Sequence, residues 1–203
     1  MLKNERNVLP LKAGDKVSIF GRMQTHYVKG GSGSGGLVNT EYITNIVDGL
    51  ERAGLIVNRQ LKKIYGEWEK SNPVNMGNGW STIPWSQTEM PLDNKTVSDA
   101  AEFSDTAIVI IGRSSGEDKD NVNIEGSYLL TKVEEDMLSQ ARKYFSKVIV
   151  LLNVGNIIDM KWVEHYNPDA VLYVWQGGQE GGNGVADVVM GKSSPSGKLS
   201  DSI

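Results

Sequence analysis

The chain has 203 residues, of which 39% are hydrophobic and 23% are charged, with a net charge of -4 and no cysteine. This composition allows one domain with a substantial core, and because there is no basic surplus, a nucleic-acid partner is disfavoured. Since no apolar run reaches the roughly 18 residues of a spanning helix and no secretory segment follows Met1, we expect a cytoplasmic protein without a membrane partner.

Apolar runs typical of strands alternate with amphipathic runs typical of helices, which predicts an α/β fold. The runs at 106–111 and 147–152 have no polar alternation, as expected of parallel strands covered on both faces. The predicted strands are 16–20, 55–57, 106–111, 147–152 and 170–175. The first predicted helix starts at Asn39, and the others occupy 60–70, 94–103, 131–144, 157–165 and 181–190. The helix at 131–144 opens with a Thr131-x-x-Glu134 capping box.

From residue 71 to about residue 93 the pattern breaks into Asn, Gly, Pro, Met and Trp, a stretch longer than an ordinary connection. This segment is either a functional loop or a mobile one. Trp80 and Trp85 lie within it. An indole ring offers a flat apolar surface and an N–H donor, so both rings are candidates for stacking on a sugar. The alternative, that they fold back to cover the sheet, stays open.

Glu117 follows the predicted strand at 106–111, within the glycine-flanked segment 112–120 (GRSSGEDKD). In parallel sheets, ligand sites form just beyond the carboxyl ends of the strands. A carboxylate on a loop whose glycines allow close approach of a substrate can act as a general acid or base. The alternative is that Glu117 and its charged neighbours form a solvated loop.

Residues 30–36 (GGSGSGG) follow the first strand, and backbone N–H groups in such a loop can bind phosphate. The glycines lie well beyond the strand end, however, and no Gly-Lys-Ser/Thr occurs, so a flexible loop is favoured. His26 lies on the same connection and is a candidate ligand-facing residue. His26 and His165 are far apart and have no cysteine beside them, so we predict neither a metal site nor another cofactor.

Several blocks, taken in order, resemble the α/β-sandwich domain of glycoside hydrolase family 3, the β-glucosidase type. The resemblance spans nearly the whole chain, and the last two blocks carry most of its specificity. The blocks are 2–4 (LKN) with 8–11 (VLPL), 112–117 (GRSSGE), 150–155 (VLLNVG), 175–183 (WQGGQEGGN) with 186–188 (ADV), and 191–199 (GKSSPSGKL).

The resemblance implies a three-layer α/β/α sandwich around a mostly parallel six-stranded sheet, formed by residues 1–203 with an irregular insertion at about 71–93. In this family the sandwich accompanies a (β/α)8 barrel of the same polypeptide. A barrel of about 250 residues does not fit in this chain, whose ends cut through family blocks. We therefore expect one domain of a larger enzyme.

The resemblance also implies that Glu117, in the Ser-Gly-Glu segment, is the acid/base of a retaining β-glycosidase, while the barrel carries the nucleophile. The substrate would be a β-glucoside or small oligosaccharide, and His26, Trp80 and Trp85 are candidate substrate-binding residues. Because retaining hydrolysis needs two carboxyl groups about 5 Å apart, we expect the isolated chain to be inactive. The alternative is a non-catalytic carbohydrate-binding or interdomain module.

Overall fold

The structure is a computed structural model that describes residues 1–36 and 38–200. Within these residues the strands are β1 Lys3–Asn4, β2 Lys16–Phe20, β3 Ile56–Val57, β4 Thr106–Arg113, β5 Lys147–Val154 and β6 Ala170–Tyr173. They form a six-stranded sheet in the order β1-β6-β5-β4-β2-β3. The short edge strand β1 pairs antiparallel with β6, and the other neighbours are parallel. The predicted mostly parallel six-stranded sheet is confirmed.

Helices connect and cover these strands. In the same part of the chain they are α1 Ile46–Arg52, α2 Arg59–Ser71, α3 Asn94–Phe103, α4 Lys132–Tyr144, α5 Lys161–Tyr166 and α6 Gly181–Val189. The predicted capping box of α4 is present: Thr131 Oγ1 accepts from the Glu134 N–H at 3.3 Å, and the Glu134 carboxylate accepts from the Thr131 N–H at 2.8 Å. Across the described ranges, no helix is long and apolar enough to cross a membrane.

The helix predicted from Asn39 is wrong at its start, because α1 begins at Ile46. The backbone of Thr44 instead pairs with residues 179–182, through hydrogen bonds of 2.9 and 3.0 Å. This long-range pairing occupies backbone groups that a longer helix would have used for its own ladder. Asn45 then caps α1 with its side chain.

The start of α5 and the end of β6 also differ from their predictions. Helix α5 begins at Lys161 rather than at residue 157, and the Asp159 N–H donates to Tyr128 O at 2.8 Å, outside any helix. Strand β6 ends at Tyr173 rather than at Trp175, which has a φ of 54°. A positive φ is incompatible with extended strand backbone, so the ladder stops before it.

The core consists of two apolar clusters, one on each face of the sheet. Strand β4 contributes to both: Ala107, Val109 and Ile111 pack with α2, α3, α4 and α5, and Ile108 and Ile110 pack with α1 and α6. All five side chains are at most 1% exposed. Burial on both faces accounts for the unbroken apolar sequence of this strand and confirms the three-layer α/β/α arrangement.

Candidate active site

The loop that follows β4 lies beside the irregular segment 72–93, which contains no helix or strand. The Ser114 N–H donates to Trp85 O at 2.7 Å, and Ser114 Oγ donates to Pro84 O at 2.6 Å. These bonds place both loops at the carboxyl ends of the parallel strands, where ligand sites of α/β sheets form.

Glu117 is exposed at this edge of the sheet. Ser34 Oγ donates to Glu117 Oε2 at 2.9 Å, and the Ser34 backbone N–H lies 3.4 Å from the same oxygen. Ser81 Oγ donates to the backbone carbonyl of Glu117. Oε1 accepts no hydrogen bond from the described residues. A carboxyl group held through one oxygen and open at the other can exchange a proton with a bound ligand.

A buried ion pair forms the base of the Glu117 loop. Arg113 is 2% exposed, and its Nη1 and Nη2 donate to the two carboxylate oxygens of Glu134 at 2.6 and 2.7 Å. The guanidinium also donates to Ser127 O and Leu129 O, each at 3.1 Å. Because a bidentate pair fixes both distance and orientation, Arg113 joins β4, α4 and the returning end of the loop in one geometry.

The structure brings two of the predicted substrate-binding residues together. His26 and Trp85 both line a cavity of about 190 Å³, and burial together with the nearby Arg22 guanidinium lowers the pKa of His26. Trp85 Nε1 is buried and has no hydrogen-bond partner among the described residues. Trp80 does not line the cavity and is 53% exposed, and Glu117 also lies outside the lining.

Arg22 holds the two ends of segment 72–93 together. It is 1% exposed, and its Nη1 and Nη2 donate to Thr88 O at 2.5 Å and Asn72 O at 2.8 Å. The neighbouring Glu89 is 8% exposed and accepts the Arg22 backbone N–H at 2.9 Å. Burial raises the pKa of Glu89 to about 7, although backbone N–H donors and the Arg22 charge act in the opposite direction.

The raised pKa of Glu89 predicts a pH-dependent stability. The folded chain retains this proton up to about pH 7, whereas the unfolded chain releases it near pH 4.5. The unfolded state therefore binds fewer protons between these values, and the free energy of unfolding should fall by about 3 kcal/mol as the pH rises through this window.

Urea denaturation of the wild type and of Glu89→Gln at pH 4.5 and pH 7 measures this contribution. The variant cannot titrate at this position, so its stability should change less on raising the pH, whatever its absolute value. The difference between the two chains removes the contributions of other titrating groups. Equal pH dependence in both chains would contradict the assignment.

Sequence reasoning assigned no site role to Ser34, Ser81, Arg113 or Arg22. A charged residue at the end of an otherwise apolar strand was an available signal for Arg113, and the capping box had already singled out its partner Glu134. The serine contacts had no such signal, since they join loops that are distant in sequence. Among the described residues, no group of three His, Asp or Glu side chains is placed to hold a metal ion.

The fold and the site together define an α/β-sandwich domain with an exposed glutamate at the carboxyl end of a central strand and an aromatic-lined cavity nearby. The family model described as glycosyl hydrolase family 3 C-terminal domain matches residues 1–203. The chain belongs to this family. The resemblance noted in the sequence is thereby confirmed.

Relatives with the same domain are considerably longer proteins. A beta-glucosidase of Ruminococcus albus is 52% identical over 97% of this chain, which covers 21% of that protein. A crystal structure of a beta-glucosidase from Paenibacillus barengoltzii superposes with a TM-score of 0.95 at 49% identity. The match covers all of this chain and 22% of that protein's chain. Beta-glucosidase 3B from Thermotoga neapolitana, in complex with glucose, superposes with a TM-score of 0.83 at 32% identity. This match covers 94% of this chain and 27% of that protein's chain. The chain thus spans about a fifth to a quarter of these proteins.

Proposed function

We propose that this chain is the sandwich domain of a retaining β-glycosidase and that it supplies Glu117 as the general acid/base. The position of Glu117 carries this proposal: the residue is exposed just beyond β4, with Oε2 bonded by Ser34 and Oε1 open. Family membership supports it, since the relatives named above are beta-glucosidases and one of them is bound to glucose.

The reaction needs a second carboxyl group about 5 Å from the first. This nucleophile attacks the anomeric carbon while Glu117 donates a proton to the departing glycosidic oxygen, which keeps the electron pair of the broken bond. Glu117 then removes a proton from the water that hydrolyses the glycosyl-enzyme. We assign the nucleophile to a (β/α)8 barrel of the same polypeptide. Such a barrel needs about 250 residues and therefore cannot be part of this chain. These steps require no cofactor.

The substrate in this proposal is a β-glucoside or a small oligosaccharide with a terminal β-linked sugar. Trp85 and His26 would contact it from the cavity beside the Glu117 loop, because indole and imidazole rings combine an apolar face with a polar atom. Trp80 would contact it from the exposed part of segment 72–93.

Hydrolysis of an aryl β-glucoside by the full-length protein and by the 203-residue chain tests this function. The full-length protein should turn over the substrate with retention of the β-configuration, measured by NMR of the first product. The chain alone should show almost no turnover, with circular dichroism confirming that it is folded. Robust hydrolysis by the chain alone would contradict the proposal, because the nucleophile would then lie within it.

The same preparations distinguish a non-catalytic module. Calorimetric titration of glucose and cellobiose into the chain should show weak binding or none. Tight binding that Glu117→Gln leaves unchanged, together with no hydrolysis by the full-length protein, would instead identify a carbohydrate-binding domain.

A further inference from the structure

The glycine-rich segment 30–36 packs backbone to backbone against the Glu117 loop. Ser32 and Gly116 form a parallel bridge, and the Ser32 N–H donates to Ser115 O at 2.6 Å. A Cβ on Gly116 would collide with Ser32, and a Cβ on Gly31 would lie 3.1 Å from Ser115 O. The glycines on both loops therefore permit this close approach.

Gly33 and Ser34 meet Glu117 directly. Gly33 has a φ of 81°, and a Cβ there would lie 2.9 Å from Glu117 Cβ and 3.3 Å from Glu117 Oε2. This conformation places the next residue, Ser34, with its hydroxyl 2.9 Å from the same carboxylate oxygen. Side-chain substitution at Gly33 would both strain the backbone and displace the glutamate.

The segment that leads into the glycines is fixed to the centre of the sheet. Asn153 on β5 is fully buried, and its side chain accepts from the Val28 N–H at 2.8 Å and donates to Val28 O at 3.0 Å. Lys29, just before the glycines, is bonded to the residues beyond them: its Nζ donates to Val38 O at 2.9 Å and to Thr40 Oγ1 at 3.0 Å. Both ends of the segment are thus tied down, which favours one position for Ser34.

We propose that Ser34 is a positioning residue for Glu117 and that residues 31–34 are the part of the glycine segment that holds it in place. This inference rests on the proposed function. By donating to Oε2, the Ser34 hydroxyl orients the carboxyl group so that Oε1 points to the glycosidic oxygen. The proton on Oε1 moves to that oxygen as the bond to the anomeric carbon breaks, while the nucleophile forms its own bond to this carbon.

Comparison of two substrates in the full-length enzyme isolates this role. Cellobiose has a sugar leaving group that needs a proton, whereas 2,4-dinitrophenyl β-glucoside releases a stable anion and needs none for the first step. Ser34→Ala should lower kcat/KM for cellobiose about tenfold and for the dinitrophenyl glucoside less than about twofold, because a misplaced acid impairs only proton transfer. For cellobiose the loss should be in kcat, with KM unchanged.

Three variants serve as controls. Ser34→Thr keeps the hydroxyl and should restore cellobiose hydrolysis. Gly33→Ala should reproduce the selective loss, since its Cβ meets Glu117, whereas Gly35→Ala should behave as wild type, because no atom lies within 4 Å of a Cβ at that position. The ratio of the two kcat/KM values does not depend on the folded fraction, so partial unfolding cannot imitate the result.

The outcomes separate this inference from the proposed function. Equal losses on both substrates in Ser34→Ala, or no loss on either, would overturn the positioning role while leaving Glu117 as acid/base. Normal cellobiose hydrolysis by Glu117→Ala would overturn the proposed function itself, and the inference with it.

Discussion

Replacing Glu117 by alanine in the full-length enzyme is expected to lower kcat for an aryl β-glucoside by about 10²–10⁴-fold, the usual contribution of a general acid/base. Without the carboxylate, no group removes a proton from the attacking water, so the glycosyl-enzyme should accumulate. Azide needs no such base and should restore turnover. The product should then be a glucosyl azide of retained configuration, because azide and water attack the same face.

Asp118→Asn is the matched control for this experiment. It removes the adjacent carboxylate and suits the left-handed backbone at this position, where φ is 54°. Its rate should stay close to that of the wild type. Near-normal turnover by Glu117→Ala, or a deficient variant that azide does not rescue, would show that the acid/base lies elsewhere.

Glu134→Gln is expected to cost about 3–5 kcal/mol of unfolding free energy, because it leaves the buried Arg113 charge without its counter-ion. Both side chains of this pair are at most 6% exposed. For a chain of this size such a loss lowers Tm by about 6–20 °C. Thermal denaturation of the 203-residue chain, followed by circular dichroism, measures the shift.

Glu135→Gln provides the comparison on the same helix. Glu135 lies 3.7 Å from Lys132, and its side chain is 42% exposed. Since exposed pairs contribute about 0–1 kcal/mol, this variant should melt within a few degrees of the wild type. Equal Tm values for Glu134→Gln and Glu135→Gln would show that the buried pair does not hold the base of the Glu117 loop.

Much of the fold could be predicted because its signals are local. Strands β4 and β5 are unbroken apolar runs, a pattern that follows from burial on both faces of a parallel sheet. Helix α3 starts where predicted, since Asp93 accepts the Thr96 N–H at 2.7 Å. Helix α1 was predicted too long because Thr44 pairs with residues 179–182, and nothing in the local spacing reports that pairing.

The candidate site, like the fold, could be predicted from the sequence only in part. The place of Glu117, after an apolar strand and between glycines, was visible in the chain, and the family blocks gave it a role. The glycine segment 30–36 suggested either a phosphate loop or a flexible connection. In the structure Gly31 and Gly33 contact the Glu117 loop, which is far from them in sequence.

By itself, then, the sequence determined the order of strands β2 to β6 and of the helices, and the position of Glu117 beyond β4, because periodicity and helix caps act over a few residues. Only the tertiary structure decided that Ser34 binds the Glu117 carboxylate and that Arg113 pairs with Glu134. Such contacts depend on which distant segments the sheet brings side by side. Which segments become neighbours depends on how the two helical layers pack against the sheet, and no local sequence pattern encodes that packing.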